Sequence, residues 1–126
     1  MKFLFFIIFI FGIGSQPSLK NTSWKLIVIQ DGKKQYLYSH LNSILTITDS
    51  TYSLNTCTSM WGEYQVINNN EFKTKGIGSY SMNCANDNGE IQNYYIYHFN
   101  NLQYRINGDT LIFSNNNGIK FKFLKH

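Results

Sequence analysis

The two cysteines of the chain, Cys57 and Cys84, are the residues with the clearest potential chemistry. Their spacing does not fit a Cys-x-x-Cys redox motif, and no histidine stands within metal-ligand spacing of either thiol. In an exported protein a cysteine pair usually forms one disulfide, which here would close a loop of about 26 residues and contribute roughly 3–4 kcal/mol. The residues favour a structural disulfide, with two buried free thiols and a catalytic pair as the open alternatives.

The other groups that could act as acids, bases or metal ligands are dispersed. The sequence has no Gly-x-Ser-x-Gly, no phosphate-binding glycine loop and no His-Glu-x-x-His pair. The three histidines form no motif; they are His40, His98 and His126. The four aspartates lie in predicted turns, where the carboxylate has a structural role; they are Asp31, Asp49, Asp87 and Asp109. We therefore predict a protein that is not an enzyme and has neither a metal site nor a cofactor.

The charge distribution argues against nucleic acid as a partner. The chain has 11 Lys and Arg against 7 Asp and Glu, and the basic residues are scattered along it. A phosphate backbone is bound by clustered basic residues, which this sequence lacks. An aromatic content of 17% with only 14% charged residues instead predicts a folded β-rich protein. We expect a monomer, and the sequence leaves a protein partner open without naming one.

The N-terminal segment predicts export. An apolar run over residues 3–11 follows a short basic region, and small residues come after it at the spacing of a cleavage site. The run is shorter than the roughly 20 residues that a transmembrane helix requires. We predict a signal peptide over residues 1–14, a polar lead over 15–23 and one domain over 24–126, in a secreted, periplasmic or envelope-associated protein. Retention of the signal peptide as a membrane anchor is the alternative. Once the signal peptide is removed, we expect no stable membrane span.

The elements that must position these residues are mostly strands. β-Branched and aromatic residues alternate with polar ones, and turns rich in Asn and Gly separate the segments. In the first segment we expect Trp24, Leu26 and Val28 to share one face. Asn107-Gly108 is a strong hairpin signal. We predict about eight short strands, in the segments 24–29, 44–48, 51–57, 62–67, 79–84, 102–106, 110–113 and 119–124, with residues 71–75 continuing the meander after the fourth of them.

One segment has the period of a helix. Apolar and aromatic side chains recur there at the spacing of one helix face; they are Ile91, Tyr94, Tyr95, His98, Phe99 and Leu102. Asp87 or Asn88 could cap this helix after a loop over 86–89. Tyrosine and isoleucine would also suit a strand, so propensity and periodicity disagree, and we favour the periodicity. Such a helix would cover one face of the sheet.

The order and spacing of several residues resemble a known family. An early Trp is followed by a Cys with Gly and Tyr five and seven residues beyond it, a strand ending in Met-x-Cys, an aromatic helix and a Gly-Asp-x-Leu hairpin before a Phe-rich last strand. In chain order these residues are Trp24, Cys57, Gly62, Tyr64, Met82, Cys84, Phe99, Gly108, Asp109 and Leu111. From residue 24 to residue 123 the chain resembles the META domain family, which includes the bacterial heat-shock protein HslJ.

The resemblance implies a fold and a setting. The fold is mainly β with one helix (α+β), an antiparallel half-barrel meander with the helix packed on it. The setting is extracytoplasmic or envelope-associated, with links to stress protection and no settled enzymatic activity. We therefore expect an exported, non-enzymatic protein with a stress-protection or protein-contact role. The core expected under this resemblance consists of Trp24, Leu54, Tyr64, Phe99 and Phe121.

Three positions depart from the family pattern. Thr58 stands where the family has Asn after the first Cys, and Ser79 or Tyr80 stands where it has Thr. Gln92 stands where the family helix has Glu. A function that depends on the Asn or the Glu side chain would not carry over to this chain.

A lipocalin-like barrel that carries a small apolar ligand is the alternative. Lipocalins begin with Gly-x-Trp, whereas Thr22 stands at the glycine position before Trp24. The chain is also short for an eight-stranded barrel that holds a ligand. A carrier requires an apolar cavity of about 300 Å³ or more, whereas the META resemblance predicts a filled core.

Overall fold

A computed structural model describes residues 16–75 and 82–126 of the chain. The predicted signal peptide over 1–14 lies outside these residues. The described chain forms nine strands and one helix, in the order β1 (Thr22–Asp31), β2 (Lys34–Leu37), β3 (Ile44–Ile47), β4 (Thr51–Asn55), β5 (Ser59–Ile67), β6 (Glu71–Thr74), α1 (Asn86–His98), β7 (Leu102–Asn107), β8 (Thr110–Ser114) and β9 (Ile119–Lys125).

The strands form one antiparallel sheet that closes on itself. From β3 to β9 each strand pairs with the next, and β1 pairs with β3 along one edge and with β9 along the other. The result is a closed eight-stranded barrel, to which β2 is added as a ninth strand beside the second half of β1. The predicted class, mainly β with one helix, is confirmed, and the expected half-barrel is a closed barrel.

An irregularity in β1 changes which of its side chains face inward. The register to β9 shifts between Leu26 and Val28, as a β-bulge produces. The extra residue reverses the alternation beyond it. The predicted face is therefore wrong at its last position: Ile29 is fully buried, and Val28 lies on the outer surface of the barrel.

Two segments differ from the predicted strands for different reasons. The sequence does not predict β2, because none of its residues is fully buried and the strand lacks a clear alternation. The predicted strand over 79–84 is wrong at residues 82–84, which are irregular; residues 79–81 lie outside the described residues. Side-chain hydrogen bonds and a disulfide, described below, hold this segment in place of a strand ladder.

The predicted helix is confirmed, but it begins earlier than expected. The predicted loop over 86–89 forms its first turn, so the predicted capping by Asp87 or Asn88 is wrong. Ala85 occupies the N-cap position and makes no side-chain capping hydrogen bond. Asparagine and glycine in this first turn are weak helix formers, which explains why the sequence indicated a loop.

Gly89 in the first turn of α1 permits a close approach. A Cβ at this position would lie 2.6 Å from the carbonyl oxygen of Cys84. No side chain can occupy that space unless the backbone shifts. The glycine therefore lets the helix begin directly against the segment that carries the second cysteine.

The helix closes one end of the barrel, and the N-terminal lead covers the other. Ile91 and Tyr95 of α1 and Phe99 at its C-terminal end are buried against the interior. The rings of Phe99 and Phe121 meet edge to face with centroids 5.3 Å apart. At the end where β1 begins, Leu19 is buried and joins the same core.

The shortest join of the barrel lies between β6 and β7, which pair at only two positions. The side chain of Gln16 extends this join. Its Nε2 donates to the carbonyl oxygens of Asn69 and Tyr104 at 2.7 and 3.3 Å, and its Oε1 accepts from the Ile106 N–H at 2.7 Å. One amide group thus bridges the β5–β6 turn and β7 where the strand ladder stops.

The barrel interior is filled by aromatic and aliphatic side chains. Four of the five residues expected in the core are at most 2% exposed; they are Trp24, Leu54, Phe99 and Phe121. Tyr64 is only partly buried. Its ring stacks on Phe72 at 4.8 Å, and its hydroxyl donates to the carbonyl oxygen of Thr48. The expected core is present, with Tyr64 at its margin.

Candidate functional site

The disulfide joins Cys57 to Cys84, so the bond predicted for this pair is confirmed. It connects the β4–β5 loop to the segment that enters α1. Cys84 Sγ also lies 3.3 Å from the backbone nitrogen of Cys57 and 3.1 Å from the Thr56 hydroxyl. Both cysteines are consumed in this bond, and the described chain has no free thiol.

The side chain of Gln92 forms hydrogen bonds with the backbone of the segment that precedes α1. The residue is 2% exposed; its Oε1 accepts from the Cys84 N–H at 2.8 Å, and its Nε2 donates to the Met82 carbonyl oxygen at 3.0 Å. A carboxylate at this position could accept the first hydrogen bond but could not donate the second. The Gln that stands in place of the family Glu therefore has a structural role here, which the sequence alone does not indicate.

The outer surface of five strands carries a groove of about 920 Å³. Two rows of outward side chains cross it in register. The first row runs from β7 to β1 through Arg105, Ile112, Lys122 and Val28. The second row runs from β7 to β2; its members are Gln103, Ser114, Lys120, Gln30 and Gln35. We call this surface the outer groove.

The outer groove is basic and amide-rich. Arg105, Lys120 and Lys122 are exposed, and the described residues that line the groove include no Asp or Glu. In the sequence these three basic residues are part of a scattered set, and nothing in their spacing indicates that Arg105 stands beside Lys120 and Lys122. Antiparallel register produces that proximity, because residues far apart in the chain become cross-strand neighbours.

A second concave site of about 370 Å³ lies between α1 and the β1–β2 hairpin. Its wall contains four tyrosine rings and two carboxylates; the lining consists of Asp31, Tyr36, Tyr38, Glu90, Asn93, Tyr94, Tyr97 and His98. We call it the tyrosine pocket. Tyr38 donates its hydroxyl to Glu90 Oε1 at 2.9 Å, and Tyr94 donates to Asp31 Oδ2 at 2.9 Å. These two bonds also tie the helix to the hairpin.

The carboxylates affect the titration of the two tyrosines. Burial, followed by the hydrogen bond and charge of Glu90, raises the pKa of Tyr38 well above its ordinary range. Burial, followed by the hydrogen bond and charge of Asp31, raises the pKa of Tyr94 in the same way. Both phenols therefore remain neutral donors at physiological pH, and each fixes one carboxylate oxygen in the pocket.

The residues of the family pattern are spread over the structure and do not converge on one site. Trp24, Phe99 and Leu111 are buried in the core, and Gly62 of β5 lies opposite Tyr52 of β4. Gly108 and Asp109 form the β7–β8 turn, with φ of +62° at the glycine. Tyr64 lies at the core margin, and the Met82 side chain is 55% exposed.

Neither a metal cluster nor a membrane helix is found in the part of the chain that the structure describes. Within residues 16–75 and 82–126, no group of three or more His, Cys, Asp and Glu side chains is placed to hold a metal ion. Within the same ranges, no helix has the length and apolarity needed to cross a membrane.

The architecture and its surfaces define a class of protein: a closed antiparallel β-barrel with a helix across one end, a packed interior and two concave sites on the outside. The sequence model of the META domain matches residues 17–126. The chain therefore belongs to the META domain family, as the order of its motifs predicted. No curated protein matches the chain significantly.

Two solved structures share the fold. An NMR structure of a protein from Burkholderia xenovorans superposes with a TM-score of 0.71 and 16% identity, over 89% of this chain and 92% of that one. A second NMR structure gives a TM-score of 0.64 and 16% identity, over 86% of this chain and 96% of the other. At this identity the likeness establishes the fold alone.

Proposed function

We propose that this META-domain protein is exported, is not an enzyme, and acts by contact with an acidic segment of a protein partner in the outer groove. The observation that carries the proposal is the first row across the groove, where Arg105 and Lys122 flank Ile112 in register. Two cations on either side of an apolar side chain suit a partner strand or loop in which acidic and apolar residues alternate. An envelope stress-protection role is the setting that membership of the family suggests.

The disulfide supports the export part of the proposal. Disulfides persist in oxidising compartments and are rare in a reducing cytosol. The Cys57–Cys84 bond therefore fits a secreted, periplasmic or envelope-associated protein. Determination of the N-terminal residue of the mature protein tests export: we expect cleavage close to residue 14, and an intact Met1 on cytosolic protein would refute it.

The packed interior favours surface contact over a lipocalin-like carrier. The rings of Tyr95, Phe99 and Phe121 meet within 6 Å of one another beneath α1. The outer groove and the tyrosine pocket, by contrast, lie on the outside of the barrel. A ligand inside the barrel would have to displace these aromatic contacts, which lowers the net gain from binding.

Charge reversal of the outer groove tests the proposed contact. The full chain carrying Arg105→Glu, Lys120→Glu and Lys122→Glu is compared with the unchanged chain as bait for envelope and secreted proteins of the source organism. A matched triple variant, Lys20→Glu, Lys33→Glu and Lys75→Glu, reverses the same charge at exposed positions outside the groove.

Support requires three results together. A captured protein is lost with the groove variant and retained with the matched variant, its capture weakens with added salt, and lysine cross-links join Lys120 or Lys122 to an acidic segment of it. Capture that both triple variants affect equally would refute the groove as the contact site, and so would cross-links that avoid the groove.

A further inference from the structure

We propose that the tyrosine pocket binds an organic cation with an alkylammonium head. The pocket lies between α1 and β2, apart from the outer groove, and the proposal does not depend on the proposed function. Its volume of about 370 Å³ falls at the lower end of the range that small-ligand sites occupy. The ligand class follows from the charge, the rings and the hydrogen bonds of the pocket.

The charge of the pocket is opposite to that of the chain. The whole chain has a formal charge of +4, yet Asp31 and Glu90 line the pocket, and no Lys or Arg is among its described lining residues. Asp87 lies one helical turn before Glu90 and contacts His40, with 3.1 Å between Oδ2 and Nε2. Two of the seven acidic residues of a basic chain thus line this pocket, with a third carboxylate one helical turn away, and this arrangement attracts a cation.

The rings add a second attraction for a cation. Tyr36 lies 6.4 Å from Tyr38 and 6.2 Å from Tyr94 between ring centroids, and Tyr97 contributes a ring that is 70% exposed. The faces of tyrosine rings carry partial negative charge, and clusters of them bind alkylated ammonium groups. An anion would be repelled here, and a neutral sugar would leave the charge of both carboxylates uncompensated.

The hydrogen bonds hold the acceptors in place for a ligand. Tyr38 and Tyr94 each bond one oxygen of a carboxylate, Glu90 Oε1 and Asp31 Oδ2. Because each phenol fixes its carboxylate, little side-chain entropy is lost when a cation binds. Lys34 is the strand partner of Asp31, but the pair is not joined as an ion pair within 4 Å in the described chain.

The experiment titrates the ¹⁵N-labelled full chain with choline and follows the backbone amide resonances. Its neutral isostere, 3,3-dimethyl-1-butanol, and glucose are titrated in parallel. We expect choline to shift amides of α1 and β2 with saturation and a dissociation constant on the order of 1 mM. We expect the alcohol and glucose to produce no saturable shift of those amides.

Isosteric variants test the residues without disturbing the fold. In Asp31→Asn and Glu90→Gln the amide oxygen still accepts from the tyrosine hydroxyl, so the anchoring of the helix is retained. Each should weaken choline binding about threefold to tenfold. Tyr97→Ala removes an exposed ring and should weaken binding about threefold. Asp109→Asn removes the same charge at the distant β7–β8 turn and should change the affinity by less than about twofold.

Four results would overturn the proposal. These are the absence of saturable shifts with choline, equal shifts with the neutral alcohol, saturable binding of glucose, and an effect of Asp109→Asn as large as that of Asp31→Asn. The second result would identify an apolar site, the third a sugar site, and the fourth a general charge effect. None of these outcomes depends on the outer groove, so failure here is distinct from failure of the proposed protein contact.

Discussion

Removal of the disulfide should lower the stability of the domain by a large and calculable amount. The cysteines lie 27 positions apart, and the loop-entropy relation for that length gives about 3.5 kcal/mol at 25 °C. The variant Cys57→Ala with Cys84→Ala also loses the contacts of Thr56 and of the Cys57 N–H with Cys84 Sγ. We therefore expect a loss of about 3–4 kcal/mol, which is a major part of the roughly 5–15 kcal/mol that stabilises a typical domain.

The assay is equilibrium unfolding in urea, followed by tryptophan fluorescence and by circular dichroism. Unchanged protein is measured with and without dithiothreitol, and the double-alanine variant is measured under both conditions as the control. Dithiothreitol should lower the stability of unchanged protein towards that of the variant and leave the variant itself unaltered. A difference of 3–4 kcal/mol corresponds to a fall in melting temperature of about 10–20 °C.

Two results would refute this reasoning. One is a loss of less than about 1 kcal/mol in the double variant, because the loop-entropy contribution would then be absent. The other is two thiols in native, unreduced protein that react with an alkylating reagent, detected by mass spectrometry. The second result would also remove the support that the Cys57–Cys84 bond gives to export.

The remaining predictions concern single residues that hold the barrel and its helix. Gly89→Ala should destabilise the domain by about 1–2 kcal/mol, measured by urea unfolding, because the clash with the Cys84 carbonyl outweighs the better helix propensity; a gain in stability would contradict the close approach. Gln92→Leu should cost about 2–4 kcal/mol by leaving two backbone groups without their partner, and a near-neutral effect would contradict that role. Gln16→Ala should cost about 1–2 kcal/mol and accelerate hydrogen exchange at the Ile106 amide; unchanged exchange there would be inconsistent with the bridge. Burial raises the pKa of Tyr52 to about 12, so the stability gained by burying its neutral phenol is fully present below pH 10 and is lost as the pH rises through 12. Unfolding curves at alkaline pH should show this loss of stability, and Tyr52→Phe should reduce it.

Much of the fold could be predicted from local patterns. Alternation revealed most strands, and the doubled asparagines marked the turn at Asn68 and Asn69, both of which adopt positive φ. The 3.6-residue period identified α1 although its tyrosines suit strands. The order of motifs identified the family, which local patterns could not do.

The errors came from interactions that local patterns do not contain. The bulge in β1 depends on pairing with β9 at the other end of the chain. Strand β2 is stabilised by antiparallel pairing with the second half of β1, and it does not bury a face of its own. The start of α1 is set by Gly89 and Gln92, whose partners are backbone groups of the preceding segment.

The candidate sites were less accessible to sequence reasoning than the fold. The outer groove unites Arg105 with Lys120 and Lys122 through antiparallel register across β8. The tyrosine pocket unites Asp31 of β1 with Glu90 and Tyr94 of α1, about 60 residues later. Such groups of residues depend on the topology of the barrel, and no short sequence motif predicts them.

Titration of the folded protein with the apolar dye N-phenyl-1-naphthylamine tests the central claim, that the barrel interior is packed and the protein acts through its outer surface. The interior side chains, among them Phe113, Phe121 and Phe123, are fully buried against one another. We expect no saturation at one dye per protein under native conditions. Tight one-to-one binding that is insensitive to charge reversal of the outer groove would contradict it and would favour a carrier of apolar ligands.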